Sequence, residues 1–219
     1  MNKYNWSNPD EYLEAVKENG YYLKFVKEQT LELCKEAVKQ NGLALQIVKK
    51  QTPEMCLIAV RNDGWSLKFV KEQTYNICLE AVKQNGWAIQ YVKEQTEEIC
   101  LEAIKENCWA LKYVKEQTPE LCLFAIKQNG WVLECIEEQT PKICMEAIKE
   151  SAYVLKFVKE QTYDICLEAI RRNGWALKYV NKKTYKLCLE AIKQNKDAIE
   201  HVDKKRFPEI HEIWRLMYE

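Results

Sequence analysis

The 219-residue chain has little glycine, little proline and almost no histidine: six Gly, five Pro and two His. So few chain-breaking residues exclude collagen-like, linker-like and disordered chains, and they favour helix. The chain also has no excess charge of either sign, because 33 Lys and Arg balance 33 Asp and Glu. A protein whose whole surface binds nucleic acid or an anionic membrane usually has a basic excess, so the bulk charge argues against both.

Long apolar runs are absent as well. No stretch approaches 18 uninterrupted apolar residues, and the first residues, MNKYNWSNPDEY, lack the apolar core of a signal peptide. We therefore expect neither a membrane-spanning segment nor export by a standard signal. Ten Cys in 219 residues fall below the density of disulfide scaffolds. These features predict an intracellular, reducing, cytoplasmic location.

A 22-residue period dominates what is present. Thr recurs at this spacing from Thr30 to Thr184, Cys from Cys34 to Cys188, and Ala from Ala15 to Ala191, all without an insertion. We divide residues 8–205 into nine repeats on this basis. They begin at Asn8, Thr30, Thr52, Thr74, Thr96, Thr118, Thr140, Thr162 and Thr184. Residues 206–219 diverge and are interpreted as a C-terminal cap, and no composition break divides the single predicted domain, 1–219.

Each repeat is predicted to form two short helices. Thr is a good N-cap, and Pro follows it at the first helical position in three repeats. An Asn-Gly pair is expected to end the first helix, with Gly in the left-handed conformation, and the Gln before each Thr is expected to end the second. Helices this short need packing against neighbours. The sequence therefore predicts an all-α fold, an α-solenoid of about nine 22-residue helix-turn-helix repeats with a C-terminal capping helix.

The string AVKQNGWAIQYV, residues 81–92, resembles the unit of a known helical-repeat family. That family is catalogued as a domain of unknown function, and its units carry an A-V-K-x-N/D-G-x-A-L-x-Y core. The resemblance spans about residues 8–205. It implies a helical-repeat fold and an origin in an amoebal giant virus or a bacterium, hence a viral protein in the host cytoplasm as one reading. It implies no activity.

The cysteines in the 22-residue register have two readings. They form either a thiol array for metal or redox chemistry or a row of small core residues. We favour the core, because they lie on the apolar face of the first helix, and equivalent atoms in stacked repeats are beyond disulfide reach. No C-x-x-C or Cys-His zinc spacing exists, so no metal and no cofactor are expected. Cys108 and Cys135 lie outside the register and are the better candidates for accessible thiols.

Aromatic residues recur at two positions of the second helix. The first position holds Trp65, Trp87, Trp109, Trp131 and Trp175, and the second, four residues later, holds Phe or Tyr in most repeats. Such residues could stack on bases, as on single-strand-binding surfaces. We favour packing between repeats, because an exposed stripe of five Trp would promote aggregation.

Residues that break the repeat are the best candidates for a binding site. One position is usually Glu but holds Ile58 and Phe124 in two repeats. If this position faces solvent, both are exposed apolar anchors for a partner. The repeat containing Phe124 is also locally acidic, with Glu134, Glu137 and Glu138. We predict a partner-binding site at these five residues, although the two apolar substitutions are also what sequence drift would leave.

The C-terminal end is basic: from residue 171 to 206 there are eleven Lys and Arg against four Asp and Glu. One position of the first helix also holds Lys or Arg in every repeat, from Lys17 to Lys193, mostly three residues after Glu, as on a solvated helix face. We call it the lysine row. The basic end could meet an acidic partner or a phosphate backbone. The candidate basic patch comprises Arg171, Arg172, Lys182, Lys183, Lys204, Lys205 and Arg206.

Motifs of the common enzyme families are missing: there is no phosphate-binding G-x-x-x-x-G-K-[ST], no G-x-G-x-x-G, no H-E-x-x-H and no G-x-S-x-G. Catalysis needs one asymmetric constellation, which a near-uniform array supplies poorly. We therefore predict no catalytic residues and a non-enzymatic scaffold that binds a protein or peptide. The alternative is a solenoid that binds nucleic acid or a phosphate ligand through the lysine row and the basic end.

Overall fold

In a computed structural model, residues 4, 8 and 11–218 are described, and they form ten α-helices and nine 3-10 helices with no strand. An α-helix and a 3-10 helix alternate along the chain in the 22-residue frame. The predicted all-α solenoid of helical repeats is therefore confirmed. The chain divides into two compact units, residues 1–116 and 117–219, which are described separately. That residues 1–219 form a single domain stays a prediction.

The α-helices are α1 Tyr12–Glu18, α2 Leu31–Gln40, α3 Pro53–Asn62, α4 Tyr75–Gln84, α5 Glu97–Glu106, α6 Pro119–Gln128, α7 Pro141–Glu150, α8 Tyr163–Arg172, α9 Tyr185–Gln194 and α10 Pro208–Tyr218. The 3-10 helices are Gly20–Phe25, Gly42–Ile47, Gly64–Phe69, Gly86–Tyr91, Cys108–Tyr113, Gly130–Cys135, Ala152–Phe157, Gly174–Tyr179 and Lys196–His201. Helix α1 begins at Tyr12, and residues 9 and 10 of the first repeat lie outside the described residues.

The threonine row caps α2 to α9 as predicted. In α5, for example, the Thr96 hydroxyl accepts a hydrogen bond from the Ile99 amide at 3.4 Å. The cap fixes which face turns inward: Ile99, Cys100, Ala103 and Ile104 are all buried. Each such cap contributes about 1 kcal/mol to helix stability. The remaining stability comes from burying this apolar face against the neighbouring helices.

The second helix of each repeat is a six-residue 3-10 helix. The residue before it is in an extended conformation, whereas the sequence predicted a left-handed glycine at the junction. Asn85, with φ −154° and ψ 109°, ends α4 and starts the 3-10 helix Gly86–Tyr91, because its side chain accepts from the Trp87 amide at 3.0 Å. No described glycine has a positive φ. The prediction of a left-handed glycine is therefore wrong. The Asn of Asn-Gly caps the second helix instead.

Glycine follows the capping residue in most repeats because the next repeat comes very close, as at Gly64, where Asp63 takes the place of Asn. A Cβ atom built on Gly64 would lie 2.6 Å from the Ala81 carbonyl oxygen and 2.8 Å from Gln84 Oε1. The Gly64 amide donates to that same Oε1 at 2.5 Å. A Cβ at Gly64 would be too close to both atoms, so glycine allows this approach. The equivalent position holds Cys108 and Ala152 in two other repeats. Glycine thus serves the packing of two repeats rather than a turn.

The Gln that precedes seven of the eight threonines joins consecutive repeats. Gln95 donates from Nε2 to the carbonyls of Ile89 (3.1 Å) and Tyr113 (3.0 Å), and its Oε1 accepts from the Lys115 amide at 2.9 Å. Tyr113 and Lys115 belong to the next repeat. The prediction that Gln ends the second helix assigned it a local role, but most of its bonds cross to the neighbouring repeat. The same bonds to the next repeat recur at Gln29, Gln51, Gln73, Gln139 and Gln161.

Helix α10 covers the end of the second unit, as the prediction of a C-terminal capping helix required. Trp214 Nε1 donates to the Lys196 carbonyl at 2.7 Å, and the Tyr218 hydroxyl donates to the Ile192 carbonyl at 2.8 Å. Ile210 of α10 is fully buried. These contacts bind α10 to the last repeat. Glu219, the last residue of the predicted cap, lies outside the described residues.

Candidate functional site

Equivalent side chains of successive repeats form rows, and the exposed rows are the candidate binding surfaces. One row, here called the glutamate row, lies on the α-helices, one position before the buried Ala. Its members in the first unit are Glu14, Glu36, Ile58, Glu80 and Glu102, and those in the second unit are Phe124, Glu146, Glu168 and Glu190. A second surface lies on the 3-10 helices and consists of the two aromatic positions with the residue before the second of them. We call it the aromatic–lysine strip.

In the first unit, Ile58 interrupts a series of ion pairs. Glu36 pairs with Lys39 at 2.6 Å, and Glu80 pairs with Arg61 of the preceding repeat at 2.6 Å. Ile58 lies between these two glutamates in the row and is partly exposed. It offers an apolar side chain where its neighbours offer paired charges.

In the second unit, Phe124 occupies the same position on α6 and is 36% exposed. Farther along this unit the row is again ion-paired, with Glu146 to Lys149 at 2.5 Å and Glu168 to Arg172 at 2.8 Å. An aromatic side chain left this exposed is the type of residue that anchors protein interfaces. The sequence pattern alone identified both exceptions. The structure shows that Phe124 is the more exposed of the two.

The three predicted acidic residues lie on a different segment from Phe124. Glu134 is in the 3-10 helix Gly130–Cys135, and Glu137 and Glu138 follow that helix. All three are exposed. Glu137 replaces a Lys that other repeats use, although its amide still donates to Gln117 Oε1 at 3.0 Å. Glu134 belongs to the aromatic–lysine strip of the second unit.

Aromatic rings of the strip pack between consecutive repeats, in agreement with the preferred reading of the sequence. Trp65 meets Tyr91 edge to face with ring centroids 5.8 Å apart, and Trp87 meets Tyr113 at 5.7 Å. Such pairs contribute about 1 kcal/mol beyond their burial. The rings nevertheless stay partly exposed, and Trp65 is 38% exposed. The strip is therefore both an inter-repeat contact and a solvent-facing surface.

The seven residues of the predicted basic patch lie at two opposite edges of the second unit. Arg171 and Arg172 end α8, where Arg171 pairs with Glu190 at 3.5 Å and Arg172 with Glu168. Lys182 lines a groove of about 380 Å³ together with Tyr163, at the other end of the ten-residue helix α8. The remaining four also lie in connections outside the repeat α-helices: Lys183, Lys204, Lys205 and Arg206. The positive charge is thus not gathered on one surface.

A row of lysines that the sequence did not single out bridges the repeats by backbone contacts. Lys71 Nζ donates to the Lys49 carbonyl at 2.9 Å, and Lys93 Nζ donates to the Lys71 carbonyl at 3.1 Å. Lys115 continues the series to the Lys93 carbonyl at 2.7 Å. These ammonium groups are held at the edge of the solenoid by the protein itself. The only signal in the sequence was their 22-residue spacing.

The eight cysteines of the register are buried, and burial raises the pKa of their thiols, to about 11 at Cys122 and Cys188. Several lie near the connecting Gln, as Cys78 Sγ does at 3.6 Å from Gln73 Oε1. A neutral thiol is a weak donor to such an oxygen. Cys108 and Cys135 are partly exposed, which agrees with their selection as the more accessible thiols. Burial also raises the pKa of the Cys108 thiol.

Within residues 4, 8 and 11–218, no three His, Cys, Asp or Glu side chains come together in a way that could hold a metal ion. No helix in the same part of the chain has the length and apolar composition needed to cross a membrane.

The comparisons with known proteins identify the repeat. Seven overlapping stretches match the model described as "Domain of unknown function (DUF4116)", at residues 8–51, 30–74, 52–95, 74–118, 96–140, 140–183 and 162–207. Each stretch covers two successive 22-residue repeats, and together they span most of the chain. Neither the curated proteins nor the solved structures contain a match.

Proposed function

Because the chain belongs to the DUF4116 family of helical repeats, whose description names no activity, we propose from its own surface that it is a non-enzymatic binding scaffold for a protein or peptide. The scaffold presents the exposed rows of the repeats to its partner. Extended surfaces of this kind are what stacked repeats provide, and here that is an argument by analogy with other solenoids.

The observation that carries the proposal is the interruption of the glutamate row. Phe124 is 36% exposed at a position where Glu146 and Glu168 form ion pairs with their own helices. An exposed Phe loses contact with water when a partner covers it, which is favourable by about 25 cal/mol for each Å² removed. Ile58 provides a second such point in the first unit.

The proposal that the chain is not an enzyme rests on its uniformity. The exposed polar groups recur from one 22-residue repeat to the next, whereas catalysis requires one distinct set of groups. The eight register thiols are buried, and their raised pKa keeps them protonated near neutral pH, so they are poor nucleophiles.

A selection experiment tests the peptide-binding proposal. A random peptide library displayed on phage is selected against the full chain, and the recovered peptides are measured by fluorescence anisotropy. We expect binding that weakens at least tenfold in Phe124→Glu or Ile58→Glu. The matched control is Tyr185→Glu, which alters an exposed aromatic residue outside the row. Recovery of no peptide, or peptides that bind both row variants as tightly as the wild type, would refute the proposed site.

Binding of nucleic acid or a phosphate ligand is the second candidate function, and the location of Lys182 favours it. The groove lined by Lys182 and Lys159 has Tyr163, Gln161 and Asn181 but no acidic residue in its lining. Lys159 Nζ already donates to the Ile136 and Glu137 carbonyls, so Lys182 is the cation that would meet a phosphate in this groove. We measure the binding of a labelled 15-nucleotide single-stranded RNA between 50 and 300 mM NaCl. Binding through phosphates must fall steeply with salt, so a flat salt dependence excludes this candidate.

A further inference from the structure

The aromatic–lysine strip of the first unit carries basic and aromatic groups but no acidic group. The residue before the second aromatic position alternates between Lys and Gln: Lys24, Gln46, Lys68, Gln90 and Lys112. Neither aromatic position holds Asp or Glu in this unit. The strip is therefore positively charged, although the whole chain is neutral.

The positive charges of the strip are not neutralised within the molecule. Lys68 Nζ lies 5.9 Å from the ring centroids of Phe69 and Tyr91, and Lys112 Nζ lies 5.9 Å from that of Tyr113. Within the part of the chain that the structure describes, neither lysine forms an ion pair. Lys71 and Lys93, in contrast, donate to backbone carbonyls. An incoming carboxylate can approach Lys68 and Lys112 without displacing a protein carboxylate.

The arrangement of the rings favours a peptide over a nucleic acid. Trp65 packs edge to face with Tyr91, and Lys68 lies over the same Tyr91 ring. A stacking base needs an open ring face. These contacts take up part of the Tyr91 ring surface, while Trp65 stays 38% exposed. Apolar side chains such as Pro pack well on such surfaces.

The spacing of the repeats suits one extended conformation of a peptide. Packed helices lie about 8–10 Å apart, so successive rungs of the strip follow at roughly that distance. A polyproline II helix advances about 3.1 Å per residue and turns every three residues, which gives about 9.3 Å per turn. One turn of such a peptide therefore matches one repeat. An acidic residue at every third position meets Lys or Gln at every rung.

We propose that the aromatic–lysine strip of residues 21–113 binds an extended, proline-rich peptide segment with an acidic side chain at every third position. This rests on the proposed binding function and adds to it the surface and the chemistry of the partner. Proline fills the spaces along the partly exposed rings, and the carboxylates pair with Lys24, Lys68 and Lys112. The rigid peptide conformation reduces the entropy lost on binding.

The second unit provides an internal comparison. Its strip carries Glu134, Lys156, Lys178 and Glu200 at the equivalent position, so attraction and repulsion of a carboxylate offset each other there. Acidic peptides should prefer the first unit.

The direct test uses a fluorescein-labelled (Glu-Pro-Pro)5 peptide and the full chain, followed by fluorescence anisotropy in 50 mM NaCl. We expect saturable binding that is at least tenfold tighter than that of (Lys-Pro-Pro)5 or of the flexible (Glu-Gly-Ser)5. The double variant Lys68→Glu/Lys112→Glu should weaken binding about tenfold or more, because it turns two attractions into repulsions. The matched control, Lys156→Glu/Lys178→Glu in the second unit, should stay within twofold. Circular dichroism verifies that both double variants are folded.

Three results would overturn the inference: no saturable binding of (Glu-Pro-Pro)5, equal binding of the flexible acidic peptide, or unchanged binding by the Lys68→Glu/Lys112→Glu variant. A labelled 15-nucleotide RNA whose binding depends on the same two lysines would do so as well. Phe124→Glu separates this inference from the proposed site in the glutamate row. It should leave (Glu-Pro-Pro)5 binding unchanged, so either surface can fail without the other.

Discussion

Replacing Gln95 by Ala should weaken the contact between two specific repeats. In the wild type, Gln95 makes three hydrogen bonds: to the Ile89 carbonyl, to the Tyr113 carbonyl and from the Lys115 amide, at 2.9–3.1 Å. The last two join the repeat that ends at Gln95 to the repeat that begins at Thr96. Alanine can form none of them.

The expected loss follows from the number of bonds. Each hydrogen bond contributes about 0.5–1.5 kcal/mol net, so three bonds together contribute roughly 3 kcal/mol. The Gln95→Glu variant keeps the acceptor for the Lys115 amide, but it places a carboxylate oxygen near two carbonyl oxygens. We expect it to be at least as destabilising as Gln95→Ala.

Urea unfolding followed by circular dichroism measures this loss. The matched control is Gln90→Ala, because among the described residues Gln90 donates only within its own 3-10 helix, to the Trp87 carbonyl at 2.9 Å. That variant should lose about 1 kcal/mol or less. The reasoning is refuted if Gln95→Ala costs no more than Gln90→Ala. Because each repeat contacts mainly its neighbours, an early partial transition is a further sign of a broken inter-repeat contact.

Four further predictions concern stability, each measured by urea unfolding. Ser66 is fully buried with no partner for its hydroxyl among the described residues, so Ser66→Ala should raise stability by about 1 kcal/mol; a loss would contradict this. Gly64→Ala should reduce stability by about 2 kcal/mol, because the added Cβ would lie 2.6 Å from the Ala81 carbonyl oxygen of the next repeat. An unchanged stability would mean that this neighbouring backbone can move away at little cost. Burial raises the pKa of the Cys122 thiol from 9.0 to about 11. The free energy of unfolding should therefore stay constant below pH 9 and fall as the pH rises towards 11, because the unfolded thiol ionises first. Cys122→Ala should reduce this dependence of the unfolding free energy on pH. Burial and nearby lysines lower the pKa of His201 from 6.5, so stability should fall as the pH drops below about 6.5, and His201→Tyr should remove that dependence.

The regular parts of the fold could be predicted because their causes lie within one repeat. The Thr96 cap bonds to an amide three residues away, and Cys100 and Ala103 share one helix face with it. Capping and helical periodicity are local rules, and they can be read from a single 22-residue unit. The same rules identified the Glu position and therefore its exceptions, Ile58 and Phe124.

The errors concern contacts between repeats. The glycine of the repeat was assigned a left-handed conformation because Asn-Gly usually marks a helix end. At Gly64, which follows Asp63, glycine instead allows close contact with the Ala81 carbonyl of the next repeat. Gln95 was assigned a local role for a similar reason. A single sequence shows that a residue recurs every 22 positions, but it does not show which backbone atom of the neighbouring repeat the side chain reaches.

The candidate surfaces divide in the same way. Phe124 could be found from the pattern, because exposure of its position follows from the helix face it occupies. The aromatic–lysine strip could not be evaluated, because ring pairs such as Trp65 with Tyr91 join residues 26 positions apart. Whether those rings lie inside or outside depends on how the repeats stack. The structure shows that the rings pack between repeats and also remain partly exposed to solvent.

The two kinds of position have different consequences for how this protein can acquire specificity. Gln and Gly connect the repeats through backbone atoms of their neighbours, as Gln95 and Gly64 do, so most substitutions there loosen the stack. The glutamate row and the strip contact solvent, and their ion pairs contribute little to stability because exposed pairs typically contribute less than 1 kcal/mol. Phe at position 124 where other repeats have Glu, and Glu at position 134 where others have Lys, therefore reduce the stability of the fold little. They do change the chemistry of the exposed surface. Differences between repeats at these exposed positions can therefore accumulate without loosening the stack.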